Sequence, residues 1–247
     1  AFVFTGMGPQ WWRMGLDLFE SEQVYRDAIG RCDAILRNLV DWSLIDELLM
    51  EETESRILET RISQPANFAL QIALTDLWSS RGVVPDCVVG HSVGEIAAAV
   101  VAGFLSLEEG LRICSLRGTL QEEVAGHGAM MAVAISFAEA EKAIGHLNGT
   151  VSIAAVNSPV SVTLAGNADD LKSLASDFDH DEIFNRRLEV DVAYHSNRLD
   201  PLRDRFIAGL LDLKPGAGSR PMISSVTGRV VQEGELDAEY WWGNMRM

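Results

Sequence analysis

Gly90-His91-Ser92-Val93-Gly94-Glu95 stands between an apolar run and a helical run. Val83, Val84, Cys87, Val88 and Val89 lead in, interrupted by Pro85 and Asp86; Ile96-Ala97-Ala98-Ala99-Val100-Val101 lead out to Gly103. That grammar predicts a strand, a sharp turn and a helix. Gly90 and Gly94 flank Ser92 at the two places where a Cβ would crowd the turn. A turn of this kind lifts a serine hydroxyl to the end of a sheet, beside the amides of a helix N-terminus. Gly-x-Ser-x-Gly alone is a common pentapeptide; its place between a strand and an Ala-rich helix gives it weight. The plainer alternative is an ordinary turn in which Ser92 serves only as the helix N-cap.

Toward the N-terminus, residues 1–5 read as a short buried strand, followed by the glycine-rich Gly6-Met7-Gly8-Pro9-Gln10. Residues 16–60 carry helical periodicity, with Glu51, Glu52, Glu54 and Glu59 on a solvated face. Ser63-Gln64-Pro65 opens a helix through residue 78, with Ser63 as cap and Pro65 in the first turn. On the other side, Ser106-Leu107-Glu108-Glu109 is a capping box. It starts a helix that carries Arg112, Leu116, Arg117 and Leu120 and fades before Gly126.

From Gly128 the pattern changes. A strand at 130–135, a helix at 138–146, strands at 151–156 and 160–165 joined by Asn157-Ser158-Pro159, a helix at 168–178 and a strand at 183–190 follow in turn. The succession βαββαβ is the ferredoxin-like arrangement. The fold class is therefore α/β, with a large part at 1–126 and 192–247 and an inserted small part at 127–191. Tyr194-His195-Ser196, a helix at about 198–211 and a strand at 222–226 come after it.

At 247 residues and 47% apolar content, the chain suits one large domain or a domain with an insertion. A net charge of −16 argues against general nucleic-acid binding and against docking on anionic membranes. No apolar stretch approaches transmembrane length, and no signal peptide with a basic start is present. Cys32, Cys87 and Cys114 are widely spaced without metal-site spacing, as expected of reduced thiols in a cytoplasmic protein. The opening on Phe2-Val3-Phe4 and the aromatic close from Tyr240 to Met247 read as the ends of a piece excised from a longer polypeptide.

A serine nucleophile needs a base, an orienter for it and donors for the oxyanion. Among five histidines, His195 is the best placed for the base. His91 lies inside the serine turn, while His127, His146 and His180 fall in loops or at helix ends. Asp191, four residues before His195, is the one carboxylate a triad would recruit, although its place at a strand end suits a surface group.

Gly6-Met7-Gly8-Pro9-Gln10, Gln64-Pro65, the serine turn, Arg117, Asn157-Ser158-Pro159 and Ala193-Tyr194-His195-Ser196 occur in the order and spacing of acyl-CoA:acyl-carrier-protein transacylases. The chain most resembles the acyltransferase domain of type I polyketide synthases and animal-type fatty acid synthases. The resemblance implies an α/β-hydrolase-like large subdomain with a ferredoxin-like insert, and a C-terminal part that continues beyond this chain. It implies Ser92 as nucleophile, His195 as general base and the backbone amides of Met7 and Val93 as oxyanion donors. Family members usually have Gln where this chain has Met7, but only the backbone amide is required there. Gln64, His91 and Tyr194 fall among the substrate-binding positions, and the backbone carbonyl of Asn244 at the position that orients the base.

In such proteins an arginine at position 117 grips the free carboxylate of a malonyl-type group, a contact suited to a planar fork. An unrelated arginine at that point of a helix would simply face water. The implied reaction moves an extender unit from malonyl-CoA or methylmalonyl-CoA, by a ping-pong route through acyl-Ser92, to the phosphopantetheine thiol of an acyl carrier protein. It needs no metal and no bound cofactor, and neighbouring domains of a multidomain synthase are the expected partners. The ring of Tyr194, one residue before the base, favours malonyl over methylmalonyl. A serine hydrolase or thioesterase is the first rival reading and a non-catalytic docking domain of a megasynthase the second. Arg117 and the want of a clear triad acid weigh against the former, and the presence of both Ser92 and His195 against the latter.

Overall fold

Phe2–Phe4 forms β1, and three helices follow: α1 at Leu16–Ser21, α2 at Gln23–Leu36 and α3 at Leu44–Leu49. The long α4, Thr60–Ser80, then leads to β2 at Val88–Gly90, α5 at Gly94–Val101 and α6 at Leu107–Glu122. Next come β3 (Ala129–Val133), α7 (Phe137–Ile144), β4 (Val151–Ser158), β5 (Ser161–Gly166), α8 (Ala168–His180) and β6 (Asn185–Arg187). The chain finishes with α9 (Arg203–Ala208), β7 (Met222–Ile223) and α10 (Ala238–Arg246). This is a computed structural model, which describes all residues except Pro9 and Asp191.

The chain divides into two compact units, Ala1–Leu120 with Phe206–Asn244, and Gln121–Arg205 with Met245–Met247. In the first, β1, β2 and β7 make a parallel sheet in the order β1-β2-β7, with Phe4 opposite Gly90 and Val88 opposite Met222. Parallel neighbours require long crossovers, and the α1–α4 segment supplies the one between β1 and β2. Ile96, Ala97, Ala98 and Ala99 of α5 are fully buried, and the three small alanine side chains let this helix pack closely. In the second unit four antiparallel strands stand in the order β4-β5-β3-β6, and Met131, Val162, Leu164, Leu171 and Phe178 are part of their core. Among the described residues no helix is long and apolar enough to cross a membrane.

Several expected boundaries shift for identifiable reasons. The expected division at 126 and 192 moves to 120 and 205, because segment 192–205 is tied to the second unit. Asn197 Nδ2 donates to the Gly149 carbonyl at 2.6 Å, and Arg205 forks onto Glu123 at 2.6 and 2.8 Å. Helix α4 starts a turn early, with Glu59 at its N-cap, so Ser63 does not cap it and Pro65 lies inside it. Val83 belongs to the end of α4 rather than to a strand. With Gly82 at φ 82°, the amides of Gly82 and Val83 donate to Ser79 and Trp78, the Schellman closure. Ile183 closes α8 in the same way, with Glu182 at φ 57°, and β6 is therefore shorter than expected. The Ser224 hydroxyl takes the amides of Val226 and Thr227 and ends β7 after two residues.

Candidate active site

The serine turn is built by steric exclusion. A Cβ on Gly90 would lie 2.3 Å from Glu95 Cα, and one on Gly94 2.4 Å from the carbonyl oxygens of Phe4 and Thr5. Ser92 itself sits at φ 53°, in the left-handed region, and is not the N-cap. A non-glycine residue held there costs about 1–3 kcal/mol, a cost concentrated at functional sites. The ordinary-turn alternative does not account for that conformation. The amides of Gly94, Glu95 and Ile96 donate to the carbonyls of His91, Ser92 and Val93 at 2.9–3.1 Å, and the Val93 amide precedes this series at the mouth of α5.

Arg117 does not face water. Its side chain rises from the middle of α6, is 2% exposed, and donates through Nη2 to Ser92 Oγ at 2.7 Å. Its Nη1 donates to the Asn244 side-chain oxygen. The Asn244 Nδ2 in turn donates to Glu95 Oε2 at 2.6 Å and to the Ser92 carbonyl at 3.2 Å. Glu95 is 0% exposed. Besides Asn244 it accepts from the Ser225 amide at 2.9 Å, the Ser225 hydroxyl at 2.8 Å and the Tyr240 hydroxyl at 2.6 Å. Burial, then the nearby Glu95 carboxylate, pushes the Tyr240 phenol far up. The order Glu95–Asn244–Arg117–Ser92 is thus one continuous chain of hydrogen bonds.

Other expected site residues of the first unit lie in the Gly6 segment, on α4 and in the turn itself. The Gly6 segment runs against it: a Cβ there would be 3.0 Å from the His91 carbonyl and 3.3 Å from Ser92 Cβ. Met7, next in sequence, rests its sulfur on α4, where Ser63 Oγ and Asn67 Nδ2 approach it at 3.6 and 3.7 Å. Gln71, farther along α4, donates to the Thr5 carbonyl at 2.8 Å. Gln64 is buried on α4, one residue from Ser63. The His91 imidazole keeps solvent contact, yet partial burial and then the Arg117 charge hold its pKa below the usual value, against the opposing pull of Glu95.

In the second unit His195 also adopts a left-handed conformation, φ 56°, and is 8% exposed. Its turn is closed by the Ser196 hydroxyl, which donates to the Ala193 carbonyl at 2.7 Å. Tyr194 and Val192 are buried beside it in sequence. The His195 Nδ1 lies 2.8 Å from the main-chain oxygen of Met247. The main-chain oxygen found at His195 is thus that of Met247 and not the one expected from Asn244. Asn244 serves through its side chain instead. Asp191 lies outside the described residues.

Sequence reasoning assigned no role to Glu95, Ser225, Tyr240 or Met247. One signal was available: Glu95 begins an otherwise apolar helix, and a carboxylate in such a helix must be buried and hence partnered. Helix α10 went unread, although Asp237 caps it through the Tyr240 amide at 2.8 Å.

The sequence model of the family described as the acyl transferase domain matches residues 1–247. The chain is 40% identical over 255 residues to a highly reducing polyketide synthase, sdnO, of Sordaria araneosa, covering 99% of this chain and 8% of that protein. It is 41% identical over 247 residues to the spectinabilin polyketide synthase system protein NorA' of Streptomyces orinoci, covering 100% of this chain and 7% of that one. Among solved structures, the acyltransferase domain from module 8 of the salinomycin polyketide synthase superposes with a TM-score of 0.95 at 36% identity, covering 99% of this chain and 58% of that one. The chain thus spans less than a tenth of the length of the two synthases.

Proposed function

We propose, since the chain belongs to the acyl transferase domain family, that it transfers a malonyl-type extender unit from CoA to an acyl carrier protein of a polyketide synthase. Ser92 attacks the thioester carbonyl as its hydroxyl proton passes to His195, and the oxyanion is met by the Met7 and Val93 amides. CoA leaves with a proton from His195, and an acyl-Ser92 ester remains. The phosphopantetheine thiol then attacks, His195 removes its proton, and the acyl group departs as a new thioester while Ser92 regains its hydrogen. The Met247 carbonyl can only accept, so the neutral imidazole carries its proton on Nδ1 and presents Nε2 as the base. This route consumes only the two thiol carriers and calls for no metal or redox group. It is ping-pong by construction, and in this reading Gln64 and His91 are assigned to substrate binding.

The observation that carries the reading is the buried Arg117 guanidinium bonded to the hydroxyl of a strained serine. A hydrolase acting on uncharged esters gains nothing from a cation at that place. An acyl group ending in a carboxylate gains a forked, charge-assisted contact. The hydrogen bond from Nη2 to Oγ supports this reading, since an acyl carboxylate can take over from the serine oxygen as acceptor once acylation has converted it to an ester. Intact-protein mass spectrometry after brief exposure to malonyl-, methylmalonyl- and acetyl-CoA tests the proposal. A malonyl adduct on Ser92 that is discharged by carrier protein supports it. Rapid loss of the adduct to water, with carrier protein left unloaded, would replace it with a thioesterase.

A further inference from the structure

We infer that Glu95 is a positioning residue for acyl selection, fixing the Asn244 amide and through it the aim of the Arg117 guanidinium. The inference rests on the proposed role of Arg117 and assigns a cause to its orientation.

A guanidinium on a long side chain is directed only by what its N–H groups find. Arg117 has one nitrogen on Ser92 Oγ and another on Asn244 Oδ1. The first is the reacting atom and changes identity when the ester forms. The second is a contact that can persist through the cycle, which makes Asn244 an anchor. An asparagine amide has an acceptor at one corner and a donor at the other, and a guanidinium only donates. Asn244 can hold Arg117 only with its oxygen toward it. That leaves Nδ2 to find an acceptor in the interior, and Glu95 Oε2 at 2.6 Å is the short one, against 3.2 Å for the Ser92 carbonyl.

Glu95 is itself fixed from the other side. The Ser225 amide reaches Oε1 at 2.9 Å, the Ser225 hydroxyl Oε2 at 2.8 Å and the Tyr240 hydroxyl Oε1 at 2.6 Å. The hydroxyls can rotate, but the Ser225 amide and the Asn244 NH₂ are obligatory donors facing different oxygens. A carboxylate accepts at both. A glutamine of the same size cannot: with its oxygen toward the Ser225 amide, its own NH₂ faces Asn244 Nδ2, donor against donor. Glu95→Gln thus preserves volume and selectively removes the hold on Asn244. The plain alternative is that Glu95 only completes the N-terminus of α5, where an acidic residue is favoured by the helix dipole. That role predicts a change in stability with no preference among acyl groups.

The test uses the full chain and measures initial rates of Ser92 acylation from malonyl-CoA and acetyl-CoA by intact mass, with thermal melts as a folding control. Glu95→Gln is expected to lower the malonyl-to-acetyl ratio roughly tenfold, in the range of couplings between bonded neighbours. In Glu95→Gln/Arg117→Ala the ratio should equal that of Arg117→Ala alone, because Glu95 acts through Arg117. If Glu95→Gln does not fold, Asn244→Ala, which removes the bridge, is expected to lower the ratio similarly. Should Arg117→Ala shift the ratio while neither Glu95→Gln nor Asn244→Ala does so, the positioning role is overturned and the proposed carboxylate grip stands. Should Arg117→Ala itself leave the ratio unchanged, the carboxylate grip falls, and the role of Glu95 falls with it.

Discussion

Asp33 and Glu95 are both carboxylates buried in the first unit, both on helices and both associated with an arginine. Asp33 accepts from Arg37 Nε at 2.7 Å and from Ser43 Oγ at 2.9 Å. Arg37 also donates to Ser43 Oγ at 2.9 Å, and Ser43 caps α3 by accepting the Asp46 amide at 3.1 Å. Every group in that cluster is answered by another within it, and the Arg37 side chain ends 56% exposed. It ties α2 to α3 and goes no further. The Glu95 cluster runs through Asn244 into an arginine that is itself buried and points at a strained serine. Burying a cation is costly unless its donors are met. Here one of those donors is met by the hydroxyl of Ser92, the proposed nucleophile. The first network closes on itself; the second ends on the proposed nucleophile, and that difference can be tested.

The largest test of that contrast is Ser92→Ala. Loss of the nucleophile should reduce acyl loading on the order of 10⁶-fold, as in hydrolases that share this logic. Persistence of a covalent malonyl adduct in the alanine variant would place the chemistry elsewhere.

Arg117→Ala comes next. A desolvated carboxylate deprived of its partner loses roughly 2–5 kcal/mol. Malonyl loading should therefore fall by at least tens-fold while acetyl loading is spared or rises. Arg117→Lys should restore only part of it, since an ammonium cannot fork. Equal losses for both acyl groups would assign Arg117 to the fold, alongside Arg37.

Tyr194→Ser probes the other unit. Tyr194 is buried immediately before His195. If its ring occupies the space of a C2 methyl, the serine variant should shift competition toward methylmalonyl-CoA. One methyl is worth about 1–3 kcal/mol, so a change of tens-fold is expected. An unchanged product ratio in the mixed-substrate assay removes Tyr194 as the gate.

Much of the fold was legible in the sequence because turn residues punctuate it, as at Gly90, Gly94 and Asn157-Ser158-Pro159. Successive strands and helices after Gly128 and the glycine-bracketed serine turn both formed where expected. The errors have a common origin. An apolar residue just past a helix can be the first of a strand or the last contact of a Schellman closure, and Val83 and Ile183 are the latter. Gly82 advertised that ending, but Glu182 occupies the left-handed position without a glycine to mark it. At the site, Ser92 and Arg117 were read from motif and resemblance, whereas Glu95, Ser225 and Tyr240 become related only after folding. Glu95 and Tyr240 are 145 positions apart. No local pattern links them.

Asp33→Asn, the smallest effect, completes the comparison. Burial alone would raise the Asp33 pKa. The hydrogen bonds from Arg37 and Ser43, the Ile45 amide and the Arg37 charge more than offset it and hold the carboxyl below its ordinary value. A carboxyl depressed in the folded state adds stability that is complete above its unfolded pKa, about 4. The contribution disappears as pH falls through the lower folded value. Wild type should therefore exceed Asp33→Asn in stability by about 1–2 kcal/mol at pH 7, the scale of a lost charge-assisted hydrogen bond. The difference in melting temperature should shrink steadily below about pH 4. The malonyl-to-acetyl ratio should not move at any pH at which the chain is folded. Paired thermal melts and loading assays from pH 3 to 7 would separate the two clusters. A shift in acyl preference on Asp33→Asn would show that the α2–α3 network communicates with the serine after all, and that closure is a poor guide to function.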